Sequence, residues 1–179
     1  MARQYLVEGP YIDPPIASPL AADTATGAVA MWTGLQFTPI FANEAKAARI
    51  YVVHAGGLIT TAATGALTIT PTYGVGGVAL GASIAQTVPA SSLSGPWTLD
   101  FELVFRTIGA PGSATSTCVG CGVFRSGGVA ATANSGMTVT FGGTVATVDT
   151  SANSSISITK TLSVAGSWTT LYAYGYWRN

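Results

Sequence analysis

The side chains of this sequence that could do chemistry begin with a single histidine. His54 lies in the run IYVVHAGGLI, beside Val53, with no acid or nucleophile near it in the sequence. Ser–His–Asp and Cys–His catalysis both need a histidine that a partner side chain positions, so no centre of either kind is recognisable. We predict a hydrogen-bonded histidine within a β-strand, and a chain that is not an enzyme and has no catalytic residue.

The two cysteines, Cys118 and Cys121, stand three positions apart in the run TCVGCGVF. In a β-strand such positions point to opposite faces and lie about 10 Å apart, whereas a disulfide needs Cα atoms within roughly 7 Å. A zinc site would need two further ligands, and a redox-active pair would need a helix directly behind it. We predict two separate structural cysteines, no metal site and no cofactor.

Two carboxylates, Asp100 and Glu102, are the remaining candidates for chemistry. They project from the same face of one predicted strand, about 7 Å apart. Such a pair could serve glycoside hydrolysis or bind a cation. Arg106 lies on the same face of that strand, and an arginine beside the acids favours an ordinary ionic strand surface.

The charge of the chain is unusually low. Its 179 residues include seven Lys plus Arg and seven Asp plus Glu, so the formal net charge is zero. Charged residues make up 8% of the chain, against about 25% in an ordinary soluble domain. Nucleic-acid binding needs clustered Lys and Arg, so we predict no nucleic-acid partner. A surface with so few charges favours self-association through large subunit interfaces.

The apolar runs are short, although 48% of the residues are hydrophobic. None approaches the roughly 20 residues of a membrane-spanning helix. The first residues reach Glu8 and Pro10 before any apolar run, unlike a signal peptide. We therefore predict no membrane partner and assembly of the protein in a cytoplasm.

Residues 1–27 differ from the rest of the chain and predict an extended N-terminal arm. Pro10, Pro14, Pro15 and Pro19 lie there; proline lacks an N–H and fixes φ, which suits an extended segment but not a central strand. The arm also carries apolar side chains that a free linker would not need: Tyr5, Leu6, Tyr11, Ile12, Ile16 and Leu20. Two interpretations stay open. The arm packs along its own domain, or it docks on a neighbouring subunit or another protein.

Residues 28–179 have the pattern of one all-β domain. The clearest strand is Trp97–Ile108, whose buried face would hold Trp97, Leu99, Phe101, Leu103 and Phe105. A second alternation runs over Ser155–Val164. Alternation with period two indicates antiparallel sheets with one buried face. About eight such strands, joined by Gly- and Ser-rich turns, predict a two-sheet jelly-roll β-sandwich. The best helical candidate is Asn43–Arg49, of at most two turns.

The last predicted strand, Trp168–Trp177, is aromatic. Tyr172, Tyr174 and Tyr176 share one of its faces, and Trp177 lies on the other. Apolar burial is expected on both faces, which is typical of a strand at a subunit contact. We predict an oligomer interface at these four residues; sugar stacking on the tyrosines is the alternative.

Three runs and their order resemble the small jelly-roll structural proteins of tailed bacteriophages. The runs are AGGLITTAATGALTITPTYG, PWTLDFELVFRTIG and FGGTVATVDTSANSSISITKTLSV, followed by the aromatic terminal strand. The resemblance covers residues 30–179. The arm lies outside it, and the terminal AYGYWRN has no counterpart that we can place in the family.

The resemblance implies a non-enzymatic virion component. Such proteins decorate the capsid as homotrimers, so the expected partners are the chain itself and the major capsid protein of the phage head, and the expected location is the virion, assembled in the host cytoplasm. The arm residues would contact the capsid or a neighbouring subunit. The alternative is a carbohydrate- or receptor-binding jelly-roll module of a head fibre or tail appendage.

Overall fold

A computed structural model of the chain describes residues 24, 26–32, 38–74, 77–88, 91–110, 115–127 and 136–178. These residues form strands and turns and contain no helix, and the strand pairings are antiparallel. The all-β prediction is confirmed. The strands are β1 (Gly27–Ala30), β2 (Pro39–Ile40), β3 (Ile50–Thr61), β4 (Gly65–Tyr73), β5 (Val78–Ala79), β6 (Gln86–Val88), β7 (Ser91–Thr107), β8 (Ser116–Ser126), β9 (Met137–Val148), β10 (Ser154–Leu162) and β11 (Gly166–Arg178).

The strands form two sheets. Sheet I has the order β1-β10-β4-β5, with β2 also paired to β10 and β6 to β4. Sheet II has the order β11-β3-β7-β8-β9. The chain crosses between the sheets before β3, β4, β7, β10 and β11, so that in each sheet an early strand pairs with a late one. The pairs β3–β11 and β4–β10 are therefore nested, one in each sheet.

The inward faces of both sheets share one apolar core, as period-two alternation requires. The predicted buried face of β7, from Trp97 to Phe105, is confirmed, because none of its five side chains is more than 1% exposed. Ile156 and Ile158 of sheet I belong to the same cluster. The edge of the Tyr73 ring in sheet I contacts the Phe105 ring in sheet II, with centroids 6.1 Å apart. The arrangement is consistent with a β-sandwich.

One side of the two sheets is joined by backbone hydrogen bonds. The Gly142 N–H in β9 donates to the Gly81 carbonyl (2.9 Å), and the Thr144 N–H donates to the Leu80 carbonyl (3.2 Å). Gly142 and Gly81 have φ of 95° and 103°, in a region that residues other than glycine rarely adopt. The register between β8 and β9 shifts at this point, which marks a β-bulge in β9. The two hydrogen bonds join β9, at one edge of sheet II, to the segment that follows β5 of sheet I, and β11 lies at the opposite edge of sheet II.

The strand number differs from the prediction. The described residues contain eleven strands, against about eight expected. Three of them, β2, β5 and β6, are only two or three residues long, too short for alternation to mark them in the sequence. The predicted helix at Asn43–Arg49 is wrong. Asn43 and Ala48 have φ of 62° and 65° there, which interrupts any helix, and the Ala48 N–H donates to the Phe105 carbonyl.

The predicted arm contacts, from Tyr5 to Leu20, lie outside the described residues, so their role stays a prediction.

Lys160 shares the inward face of β10 with Ile158 and Leu162 and is 1% exposed. The alternation in Ser155–Val164 thus contains a charged residue at a core position, which pattern analysis alone does not predict.

Candidate functional site

The outward face of sheet II holds the side chains that the sequence singled out. Antiparallel register aligns Tyr174 of β11 with His54 of β3, His54 with Asp100 of β7, and Asp100 with Val123 of β8. His54 and Asp100 are 46 residues apart in the chain. Strand pairing alone therefore brings this row of side chains together.

His54 is held by hydrogen bonds, as predicted. Its Nδ1 lies 2.7 Å from Oδ1 of Asp100, and the other carboxylate oxygen accepts a 2.7 Å hydrogen bond from the Arg125 guanidinium. The His54 ring also lies against two tyrosine rings, with centroids 5.4 Å from Tyr174 and 5.8 Å from Tyr176. The imidazole is thereby fixed in orientation at the sheet surface.

This row positions polar groups at the surface of the sheet. The hydroxyl closest to Nε2 of His54 is the phenol of Tyr176 at 3.4 Å, beyond the usual length of a hydrogen bond to a hydroxyl. The side chains of His54 and Asp100 are 30% and 47% exposed. Surface groups of this kind can donate and accept hydrogen bonds to a bound molecule.

The tyrosine column consists of Tyr172, Tyr174 and Tyr176 on the outward face of β11. Adjacent ring centroids are 6.3 Å and 6.4 Å apart, and the ring planes differ by 30° and 22°. The Tyr172 ring lies over Gly56 of β3, at the place that a Cβ would occupy. Partial burial, and to a lesser degree the neighbouring Tyr174 and Asp100, raises the pKa of Tyr172 above its usual value.

The two predicted carboxylates are neutralised separately. Glu102 accepts two hydrogen bonds from the Arg178 guanidinium, at 2.7 Å and 3.1 Å, while Asp100 is paired with Arg125. The ionic strand surface is confirmed, but these arginines come from β11 and β8 and not from the position of Arg106. The sequence analysis missed both. The available signal was that Arg125 and Arg178 occupy positions expected to face outward in strands with alternating side chains.

Trp177 does not share a surface with the tyrosines. It packs against the core from the inward side of β11, beside the rings of Tyr51 (5.0 Å) and Phe105 (5.8 Å). Arg49 lies over its indole at 4.6 Å. A bulge between Thr170 and Tyr172 turns Leu171, which is 40% exposed, away from the core. The four residues of the predicted interface therefore do not form one patch.

The cysteines are placed as the sequence predicted. Cys118 is buried and Cys121 is exposed, and both are free thiols. They belong to opposite faces of β8, because Cys118 packs in the core and Cys121 is paired across the sheet with outward-facing Glu102. Burial raises the pKa of the Cys118 thiol to about 12.

This difference predicts the thiol chemistry of the native protein. A thiol reagent at mildly alkaline pH should modify about one cysteine per chain, because only thiolates react and Cys118 stays protonated until the pH approaches about 12. Denaturation should expose the second thiol. Cys121→Ser should abolish the native reaction and Cys118→Ser should leave it unchanged. Rapid reaction of both thiols in the native protein would contradict this placement.

An apolar row crosses the same outward face close to the Tyr176 end of the tyrosine column, two residues further along β3. Ile50 of β3, Val104 of β7, Val119 of β8 and Val145 of β9 are cross-strand neighbours in register. The first three are half-buried and Val145 is 51% exposed. Four branched apolar side chains in one line form a continuous surface strip, which we call the valine row.

Among the described residues, no three or more His, Cys, Asp and Glu side chains are grouped so that they could hold a metal ion. Those residues also include no helix of the length and apolarity needed to cross a membrane. No protein-family model, curated protein or solved structure matches the chain.

Proposed function

We propose that this chain is a non-enzymatic structural protein of a virion: a decoration protein that binds and stabilises the head of a tailed bacteriophage as a homotrimer. Its partners would be further copies of itself and the major capsid protein. The resemblance of residues 30–179 to small phage structural proteins supports this proposal. So does the low charge, since 8% charged residues and zero net charge suit a protein that buries much of its surface in an assembly.

We further propose that the fold is a jelly roll. Its support is the nesting of β3–β11 in sheet II and β4–β10 in sheet I, in which late strands return alongside early ones. This is the pairing expected when a long hairpin wraps around a core. The consecutive neighbours β7, β8 and β9 in sheet II would be an added meander.

The observation that carries the assembly function is the valine row. A strip of Ile50, Val104, Val119 and Val145 on an outward sheet face gains free energy when a partner covers it, by roughly 25 cal/mol for each Å² of apolar surface removed from water. A second copy of the chain is the partner that we propose. With no net charge, copies do not repel one another.

The valine row suits a subunit contact better than the tyrosines do. The tyrosine column has His54, Asp100 and Arg125 beside it, and charged residues are depleted from the centres of subunit interfaces. The four members of the valine row are all apolar, and charges lie only at its margins, at Glu102 and Arg106 on β7 and at Arg178 beside Ile50. Trp177, the fourth residue of the expected interface, packs in its own core. A subunit contact at Tyr172, Tyr174 and Tyr176 stays a prediction, and the valine row is the location that we favour.

Attachment to the particle can be tested by shortening the arm. Deleting residues 1–24 should leave a folded oligomer that no longer binds phage heads, because it removes the apolar arm from Tyr5 to Leu20 and keeps β1. Co-sedimentation with undecorated heads measures binding, and circular dichroism checks the fold. Unchanged binding would show that the arm is not the attachment element. Loss of the fold would show that the arm belongs to its own domain.

A further inference from the structure

The tyrosine column combines apolar ring surface with polar groups in fixed positions. Tyr172 is 37% exposed, and Tyr174 and Tyr176 are half-buried, so each ring keeps part of its surface in water. The three rings follow one edge strand with nearly equal spacing and small angles between their planes. Aromatic rings with polar tips bind molecules that have one apolar and one hydrogen-bonding side.

The polar groups beside the rings can make further hydrogen bonds. Within the described part of the chain, Oδ1 of Asp100 is paired with His54 and Oδ2 accepts a hydrogen bond from Arg125, and a carboxylate has about four acceptor positions. Arg125 uses one of its donors on Asp100, although a guanidinium has five N–H groups. The side chains of Asp100 and Arg125 are 47% and 53% exposed. A molecule lying on the rings could therefore reach both partners.

The charges of this surface select against ionic ligands. Asp100 is neutralised by Arg125, and Glu102 by Arg178, so these two ion pairs together carry no net charge. An anion that approached either guanidinium would also meet the carboxylate paired with it, which repels negative charge. A quaternary ammonium ion prefers rings that enclose it, whereas these rings lie side by side along β11.

We propose that the outward face of β11, β3, β7 and β8 binds a neutral saccharide, which stacks on the tyrosine column and hydrogen-bonds to Asp100 and Arg125. A neutral saccharide has apolar C–H faces that can stack on the tyrosine rings, and hydroxyls around its rim that can bond to Asp100 and Arg125. Its lack of charge matches the paired charges of this surface. The inference does not rest on the proposed capsid role, since it uses none of the four side chains of the valine row.

Gly56 is a positioning residue in this site. A Cβ at Gly56 would lie within 2.6–2.7 Å of three atoms of the Tyr172 ring. The absence of a side chain there lets the Tyr172 ring approach β3 closely and continue the tyrosine column. Gly56→Ala should push the Tyr172 ring out of line without removing any group that touches the saccharide.

The test uses the full chain and an array of neutral gluco-, galacto- and manno-oligosaccharides, with sulfated and sialylated oligosaccharides as the comparison set. Binding of the best neutral oligosaccharide is then measured by titration calorimetry at low and high salt. We expect Tyr174→Ala to weaken binding about tenfold or more, Tyr174→Phe to retain most of it, and Gly56→Ala to weaken it severalfold. Thr147→Ala, an exposed position on β9, is the matched control and should bind as the original chain does.

The proposal is supported if neutral oligosaccharides bind with little salt dependence and the tyrosine variant loses them. It is overturned if no neutral oligosaccharide binds, if only anionic ones bind, or if Tyr174→Ala binds unchanged. Should Tyr174→Ala not fold, Tyr172→Ala gives the same test at a more exposed ring. Head binding by Tyr174→Ala is measured in parallel, because its retention separates a failed saccharide site from a failed capsid role.

Discussion

Phe101→Ala should lower the free energy of unfolding by about 3–5 kcal/mol. The Phe101 side chain is fully buried at the centre of β7 and stacks on Phe141, with ring centroids 5.9 Å apart and planes 8° apart. It also lies over Gly120 of β8, at the place that a Cβ would occupy. The neighbouring strands are tied into sheet II on both sides, so they cannot close around the space that the ring leaves.

Urea denaturation at a fixed protein concentration measures this effect. The concentration must be the same for each variant, because subunit association contributes to the apparent stability. Phe41→Ala is the matched control. Its side chain is 54% exposed, and we expect a change within about 0.5 kcal/mol. A loss below about 1 kcal/mol for Phe101→Ala would mean that this ring is not at the centre of the core.

Val119→Lys should weaken subunit association about a hundredfold, which corresponds to about 2.7 kcal/mol. Val119 faces outward in the middle of the valine row and is half-buried. A lysine there can reach water in a separate subunit, so the fold should tolerate it. In a subunit contact the same ammonium group would be buried without a partner, which is costly.

Sedimentation equilibrium of Val119→Lys against the original chain gives the change in affinity. Thr138→Lys supplies the control, since it adds the same charge at an exposed position near the other end of β9. That variant should associate normally. If Val119→Lys also associates normally while keeping its fold, the valine row is not the subunit contact.

The buried face of the sheets could be predicted from local sequence because alternation is a local property. The run from Trp97 to Phe105 shows its core face in nine consecutive residues, and all five members of that face are buried. Cys118 and Cys121 followed from the same rule. A strand that is covered on one side carries this information whatever strands lie next to it.

The site on the outward face could not be predicted, because it depends on register between distant strands. Nothing local indicates that His54 faces Asp100, or that Arg125 and Arg178 reach the two carboxylates. Bulges have the same effect. The irregularity between Thr170 and Tyr172 exposes Leu171 on a strand whose simple alternation would place it with Trp177.

Single residues that depart from the pattern of their segment also could not be predicted from the sequence. Lys160 occupies a core position between Ile158 and Leu162, where the alternation by itself predicts an apolar residue. Asn43 and Ala48 adopt left-handed φ angles in a segment whose composition favours a helix. In the second case a tertiary contact, the hydrogen bond from the Ala48 N–H to the Phe105 carbonyl, helps to decide the local structure.

The central claim is that this protein works by assembling with itself, and its mass in solution tests that claim most directly. Light scattering of the intact full chain at micromolar concentration should give about three times the chain mass of 18.1 kDa, with no dependence on salt, because the proposed contact is apolar. A folded protein with the mass of a single chain under these conditions would contradict the account.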